Sequence, residues 1–122
     1  MGECVSLFNY TRHERIDGRL PFRKPAEWRF HVAGCAICTW YMLHHRTDDV
    51  RFLGEWQDER EYWRLVELFD DVTEAVIATM IEEGSLADCG KGWEDKEDPN
   101  LCSRDIRPRK SAFWPPAGDW PD

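Results

Sequence analysis

The chain of 122 residues is long enough to bury one modest hydrophobic core and too short for a second domain. Its formal net charge of −8 argues against direct nucleic-acid binding, because an acidic surface repels phosphates. No apolar run approaches the ~18 residues of a membrane span, and residues 1–5 lack the basic and apolar regions of a secretion signal. We therefore expect a single-domain cytoplasmic protein with no membrane partner.

The first predicted element is a short strand over residues 4–11, where β-branched and aromatic side chains are frequent. Pro21 and Pro25 then interrupt a basic stretch, so a turn-rich connection is expected. Residues 11–30 carry six Lys or Arg against three acidic residues, whereas residues 48–99 carry seventeen carboxylates against five Lys or Arg. This asymmetry predicts that the basic stretch pairs internally with the acidic helix expected over residues 58–83.

A first long helix is predicted over about residues 26–45, with Pro25 compatible with its first turn and Glu27 near the positive end of the helix dipole. The run is apolar on nearly every face, which is typical of a helix that is buried all round or lies at an oligomer interface. A competing interpretation assigns residues 28–32 to a strand and begins the helix at Gly34. The two interpretations imply different chemistry for the cysteines of this segment.

A second long helix is predicted over residues 58–83, after a short strand or extended link over residues 50–56. Its apolar residues recur at helical spacing from Tyr62 to Ile81, and Gly84 follows where a C-terminal glycine cap belongs. The expected fold class is therefore mainly α, a small α+β protein with two principal helices and a short N-terminal strand.

The C-terminal part of the chain is predicted to be irregular and then extended. Residues 87–104 are glycine-rich and acidic, which favours loops. The last eighteen residues contain four prolines together with Trp114 and Trp120, a composition typical of a polyproline-like arm. The sequence thus predicts one globular domain over residues 1–104 and an extended arm over residues 105–122 that docks on a partner or on the domain itself.

The cysteines and histidines predict a zinc site. Five cysteines are an odd number in a chain with no export signal, which favours free thiols or metal ligands over a disulfide framework. A CxxC pair on a helix places two sulfurs on one side, close enough to share a tetrahedral zinc. The candidate ligands are Cys35, Cys38, Cys89, Cys102, His31 and His45. The alternative is that Cys35 and Cys38 are small apolar residues of a buried helix.

A thiol-dependent enzyme is a competing functional interpretation. If residues 28–32 form a strand, the order of strand, turn, CxxC and helix resembles the redox site of thioredoxin-like proteins, in which a helix N-terminus lowers the pKa of a thiol. This resemblance implies that Cys35 and Cys38 form an exchangeable dithiol. A small metalloenzyme built on the same pair is a separate alternative.

The expected function is nevertheless the binding of another protein, because the chain contains no glycine-rich phosphate loop and no recognisable nucleophile motif. We expect carboxylates on one face of the second helix to occupy a basic, nucleic-acid-binding surface of a target, a profile shared by phage and mobile-element inhibitors. The predicted contact residues are Glu67, Asp70, Asp71, Glu74, Trp114 and Trp120. A structural subunit of a larger assembly, or a homo-oligomer, is a further alternative.

Overall fold

Across the residues that the structure describes, the architecture is α+β with three helices, so the mainly α prediction is wrong. The computed structural model describes residues 3–20, 26–27, 32–94, 97 and 102–109. Its elements in chain order are β1 (Val5–Asn9), β2 (Glu14–Ile16), β3 (Arg19–Leu20), β4 (Ala26–Glu27), α1 (Val32–His44), β5 (Val50–Gly54), α2 (Glu59–Leu68), β6 (Asp70–Asp71), α3 (Thr73–Glu83), β7 (Leu86–Glu94) and β8 (Cys102–Pro108). Four of these strands have only two or three residues, and β6 consists of two Asp residues, so apolar periodicity does not reveal them.

A four-stranded sheet of order β5-β1-β2-β6 organises the fold, with β1 antiparallel to both neighbours and β2 parallel to β6. Leu7 of β1 belongs to the larger core, which also contains residues of α1 and α3, whereas Phe8 packs with Tyr62 and Leu65 of α2. Adjacent residues of a strand point to opposite faces, so α1 and α3 cover one face of the sheet and α2 covers the other. The predicted N-terminal strand is confirmed as β1.

Helix α1 begins at Val32 and not near residue 26. Ala26 and Glu27 instead form β4, in which they pair with Leu20 and Arg19 of β3. The predicted first helical turn is therefore wrong, because the same residues are used in a hairpin. Residues 28–31 lie outside the described residues. Helix α1 buries small and aromatic side chains in the larger core, namely Ala33, Ala36, Ile37, Cys38, Trp40 and Tyr41.

The predicted helix over residues 58–83 consists of two helices separated by β6. A single helix of that length would be a straight rod of about 39 Å, yet Phe69 packs on the α2 side of the sheet and Ile77 on the opposite side. The chain must therefore cross the sheet edge between them. The break is stabilised by Asp71, whose carboxylate accepts hydrogen bonds from the backbone N–H and the hydroxyl of Thr73. The predicted cap at Gly84 is confirmed, with φ of 92°.

Strands β7 and β8 form an antiparallel hairpin where the sequence predicted loops over residues 87–104. Register shifts near Lys91 interrupt the alternation of side chains that would have identified these strands. The hairpin completes the larger core, because Leu86 and Ile106 are fully buried there. Strand β8 runs through Pro108, so the predicted domain boundary at residue 104 falls inside a strand. Residues 110–122 of the predicted arm lie outside the described residues.

Candidate functional surface

The predicted carboxylate set surrounds the junction of α2, β6 and α3, and not one face of a single helix. Glu67 lies near the end of α2, Asp70 and Asp71 form β6, and Glu74 lies in the first turn of α3. All four residues are exposed. The break in the predicted helix therefore changes their arrangement but leaves them close together, at the β6 edge of the sheet.

The charge of this region is unusually one-sided. Residues 65–90 contain seven Asp or Glu and no Lys or Arg. Two of the four carboxylates have cations from elsewhere in the chain beside them: Arg15 Nη1 lies 3.7 Å from Asp71, and Arg104 Nη1 lies 2.8 Å from Glu74. Glu67 and Asp70 form no such ion pair within the described part of the chain. We define the acidic surface as Glu67, Asp70, Asp71 and Glu74.

The described arginines of the basic stretch form internal ion pairs, but only Arg15 pairs with a residue of the predicted acidic helix, Asp71. Arg12 Nε lies 2.8 Å from Asp48, and Arg19 Nη2 lies 3.6 Å from Glu55. Together with the contact between Arg15 and Asp71, these pairs account for the arginines of the basic stretch that the structure describes. The short ion pair with Asp48 neutralises the charge of Arg12 within the fold.

Large apolar side chains are exposed beside the acidic surface. Trp63 and Leu68 of α2 are 48% and 62% exposed, and Trp56, just before α2, is 62% exposed. Sequence reasoning emphasised Trp114 and Trp120 instead, which lie outside the described residues. Trp63 could have been found from the helical pattern, because it lies about 100° around the helix from the buried residue Tyr62.

The predicted metal ligands are spread over several elements. Cys35 is exposed and Cys38 buried on α1, Cys89 is exposed on β7, and Cys102 begins β8. His31 lies outside the described residues. No group of three or more His, Cys, Asp or Glu residues is arranged to hold a metal ion where side chains are described. A zinc site built on Cys35 and Cys38 therefore stays a prediction.

The environment of the CxxC pair differs from that of a thioredoxin-like site. Cys35 and Cys38 lie one and two turns into α1, and not at its first residue. Burial, followed by the neighbouring Cys35, raises the pKa of Cys38 to about 12. A thiol with this pKa is protonated at neutral pH, so Cys38 is not an activated nucleophile.

His45, the remaining predicted ligand, belongs to a polar network centred on Asp48. The Oδ2 atom of Asp48 accepts hydrogen bonds from Asn9 Nδ2 at 2.9 Å and from Arg12 Nε at 2.8 Å, and lies 3.1 Å from His45 Nδ1. The bond from Asn9 is the main cause that lowers the pKa of Asp48. His45 also stacks on Tyr41, with ring centroids 4.1 Å apart. The network joins the end of β1 to the turn after α1.

The Asn9 side chain is the buried centre of this network. Its Nδ2 atom also donates to the Tyr41 hydroxyl at 3.0 Å, and its Oδ1 atom accepts the backbone N–H groups of Thr11 and Arg12. The Tyr41 hydroxyl in turn donates to Glu14 at 2.6 Å. Sequence reasoning missed this cluster because its members are far apart in sequence and form no motif.

No protein-family model matches the chain, and comparisons with curated proteins and with solved structures find no match to it. Among the helices that the structure describes, none has both the length and the apolar character needed to cross a membrane.

Proposed function

We propose that the protein is a protein-binding module whose acidic surface occupies a basic surface of a target that handles nucleic acid. The observation that carries this proposal is the absence of any Lys or Arg from residues 65–90, which place exposed carboxylates around β6. A concentrated negative field attracts a basic partner and speeds its encounter. The same field would compete with nucleic-acid phosphates for that partner.

The exposed apolar residues beside the carboxylates supply binding affinity that charge alone does not provide. Interfaces gain most of their affinity from a few large anchors, and Trp is enriched among them. Trp63 and Leu68 on α2 are positioned for this role, with Glu67 and Asp70 adjacent in sequence. Charge at the rim then contributes mainly to specificity and association rate, whereas the apolar anchors contribute mainly to the lifetime of the complex.

The test uses a photoreactive p-benzoylphenylalanine at position 63, cross-linked in an extract of the cells that encode the chain. We expect it to capture a basic protein, and we expect DNA or RNA to displace that protein from the unmodified module. Asp70→Lys should weaken binding of the purified partner by about fivefold or more at low salt, and by less at high salt because the charges are screened.

Glu82→Lys is the matched control. Glu82 is also an exposed carboxylate and its replacement changes the net charge equally, but it lies about 12 Å of helix beyond Glu74. The proposal predicts a much smaller effect of this variant. Equal effects of the two variants, a partner that nucleic acid does not displace, or no capture at position 63 would contradict the proposal.

A further inference from the structure

A small cavity lies between the β2–β3 segment and α2. Its volume is about 80 Å³, and it is lined by Arg15, Asp17, Arg19, Tyr62, Trp63 and Val66. A water molecule takes about 30 Å³ of liquid volume, so the cavity accommodates one small polar group and excludes an aromatic ring system. Trp63, about half exposed, forms part of its wall.

The two arginines of this cavity are held only loosely by their carboxylate neighbours. The Nη1 atom of Arg15 lies 3.5 Å from Asp17 and 3.7 Å from Asp71, and the Nη2 atom of Arg19 lies 3.6 Å from Glu55. Charge-assisted N–H···O bonds are normally about 2.7–2.9 Å long. The Arg15 guanidinium therefore keeps hydrogen-bonding capacity that its carboxylate partners do not use, whereas Arg19 also interacts with the Cys4 side chain.

Of the two arginines, Arg15 gives the more specific evidence for a binding site. Its side chain is 14% exposed, and its Nε atom is buried without a hydrogen-bond acceptor in the described part of the protein. A buried donor without an acceptor is unfavourable, so a shift of the Arg15 side chain towards an acceptor in the cavity would be favoured. The Tyr62 hydroxyl is already engaged with Ser6 at 3.0 Å, so the arginines are the charged donors of the cavity lining.

We propose that this cavity binds a single oxyanion group, a phosphate or a carboxylate, between Arg15 and Arg19. A planar guanidinium presents several N–H donors in a fixed geometry that matches such groups. The three nearby carboxylates compete for the same donors, so we expect weak binding of a free anion. The cavity contains Trp63 and Arg15, which also neighbour the acidic surface, but the oxyanion proposal does not rest on the proposed function and either proposal can fail without the other.

The experiment is an NMR titration with inorganic phosphate at constant ionic strength, which follows the Nε–Hε signals of the arginine side chains and the indole signal of Trp63. We expect saturable shifts at Arg15 and Arg19. Arg15→Gln and Arg19→Gln should each weaken binding at least about tenfold, since each removes a charged hydrogen-bond donor.

Arg107→Gln is the matched control, because Arg107 is an exposed cation that pairs with Asp105 at 2.9 Å away from the cavity lining. It should leave phosphate binding unchanged. Arg19→Gln keeps the test informative if Arg15→Gln does not fold, because the Arg19 side chain is 70% exposed. Shifts that do not saturate, or equal losses in Arg19→Gln and Arg107→Gln, would overturn the proposal.

Two further titrations identify the source of the oxyanion. Tighter binding of O-phosphoserine than of inorganic phosphate would support the site and assign it to a phosphorylated side chain, whereas equal binding would support a free anion. Binding of acetate alone would assign a carboxylate. The absence of saturable binding to all three probes would refute the site.

Discussion

Replacing Asn9 with alanine removes the centre of the polar network that joins β1 to the turn after α1. Asn9 is fully buried and takes part in four hydrogen bonds, with the Tyr41 hydroxyl, the Asp48 carboxylate and the backbone N–H groups of Thr11 and Arg12. At a net value of about 1 kcal/mol for each bond, with water replacing part of what is lost near the surface, we expect Asn9→Ala to reduce the free energy of unfolding by about 2–4 kcal/mol. That is a large share of the stability of a small domain.

Urea denaturation at neutral pH, followed by tryptophan fluorescence, measures this loss. The matched control is Thr79→Ala, which removes one exposed hydrogen bond to the Ala75 carbonyl and should change stability by less than about 0.5 kcal/mol. A loss below about 1 kcal/mol for Asn9→Ala would refute the claim that the network stabilises the fold.

Asn9→Ala should also change how the free energy of unfolding depends on pH. The pKa of Asp48 is lowered in the folded protein, first by the hydrogen bond from Asn9. A carboxylate with a depressed folded pKa stabilises the protein above its unfolded pKa of about 3.9, and this contribution is lost as pH falls through the folded pKa. Asn9→Ala raises the folded pKa towards the unfolded value, so we expect a shallower loss of stability in acid. An unchanged loss of stability at low pH would contradict the claim that Asn9 lowers the pKa of Asp48.

Three further outcomes are expected. Gly54→Ala should cost about 1–2 kcal/mol of stability, because the added Cβ would lie 2.2 Å from the Glu3 carboxylate. That carboxylate accepts two backbone N–H groups before α2, and the clash would displace it. In a double-mutant cycle with Glu3→Ala the two losses should not add. Gly84→Ala should cost about 1 kcal/mol in urea denaturation, because φ is 92° there, and a neutral result would exclude strain at this cap. In timed alkylation at about pH 8, read by mass spectrometry, Cys35 should react well before Cys38. The reason is that Cys38 is buried and has a pKa raised to about 12. The reverse order would contradict the described burial.

The proposed function and the cavity use different faces of one local structure. Arg15 links them, because its guanidinium lies near both Asp17 in the cavity and Asp71 on the acidic surface. An anion bound in the cavity would draw the guanidinium away from Asp71 and expose more of the negative charge of β6. Measurement of partner binding with and without phosphate therefore tests whether the two sites are coupled.

Part of the candidate surface could be predicted from the sequence. The acidic segment was visible from charge counts, and the exposure of Trp63 follows from its position beside Tyr62 in a helical pattern. The cavity could not be predicted, because Arg15 and Arg19 reach it from β2 and β3 while Tyr62 reaches it from α2. The predicted zinc site stays a prediction, since Cys35 and Cys38 lie on α1 whereas Cys89 lies on β7.

Local sequence by itself determined those features in which neighbouring residues supply the physical cause. The buried strand β1 follows from a compact apolar run, and the end of α3 follows from a glycine that adopts positive φ at little cost. Tertiary structure alone decided that Asp70 and Asp71 form a strand, because their backbone groups pair with β2, more than fifty residues earlier. A second cause is that one helix could not pack on both faces of the sheet. Apolar periodicity reports which residues avoid water, but not which side of a sheet they cover.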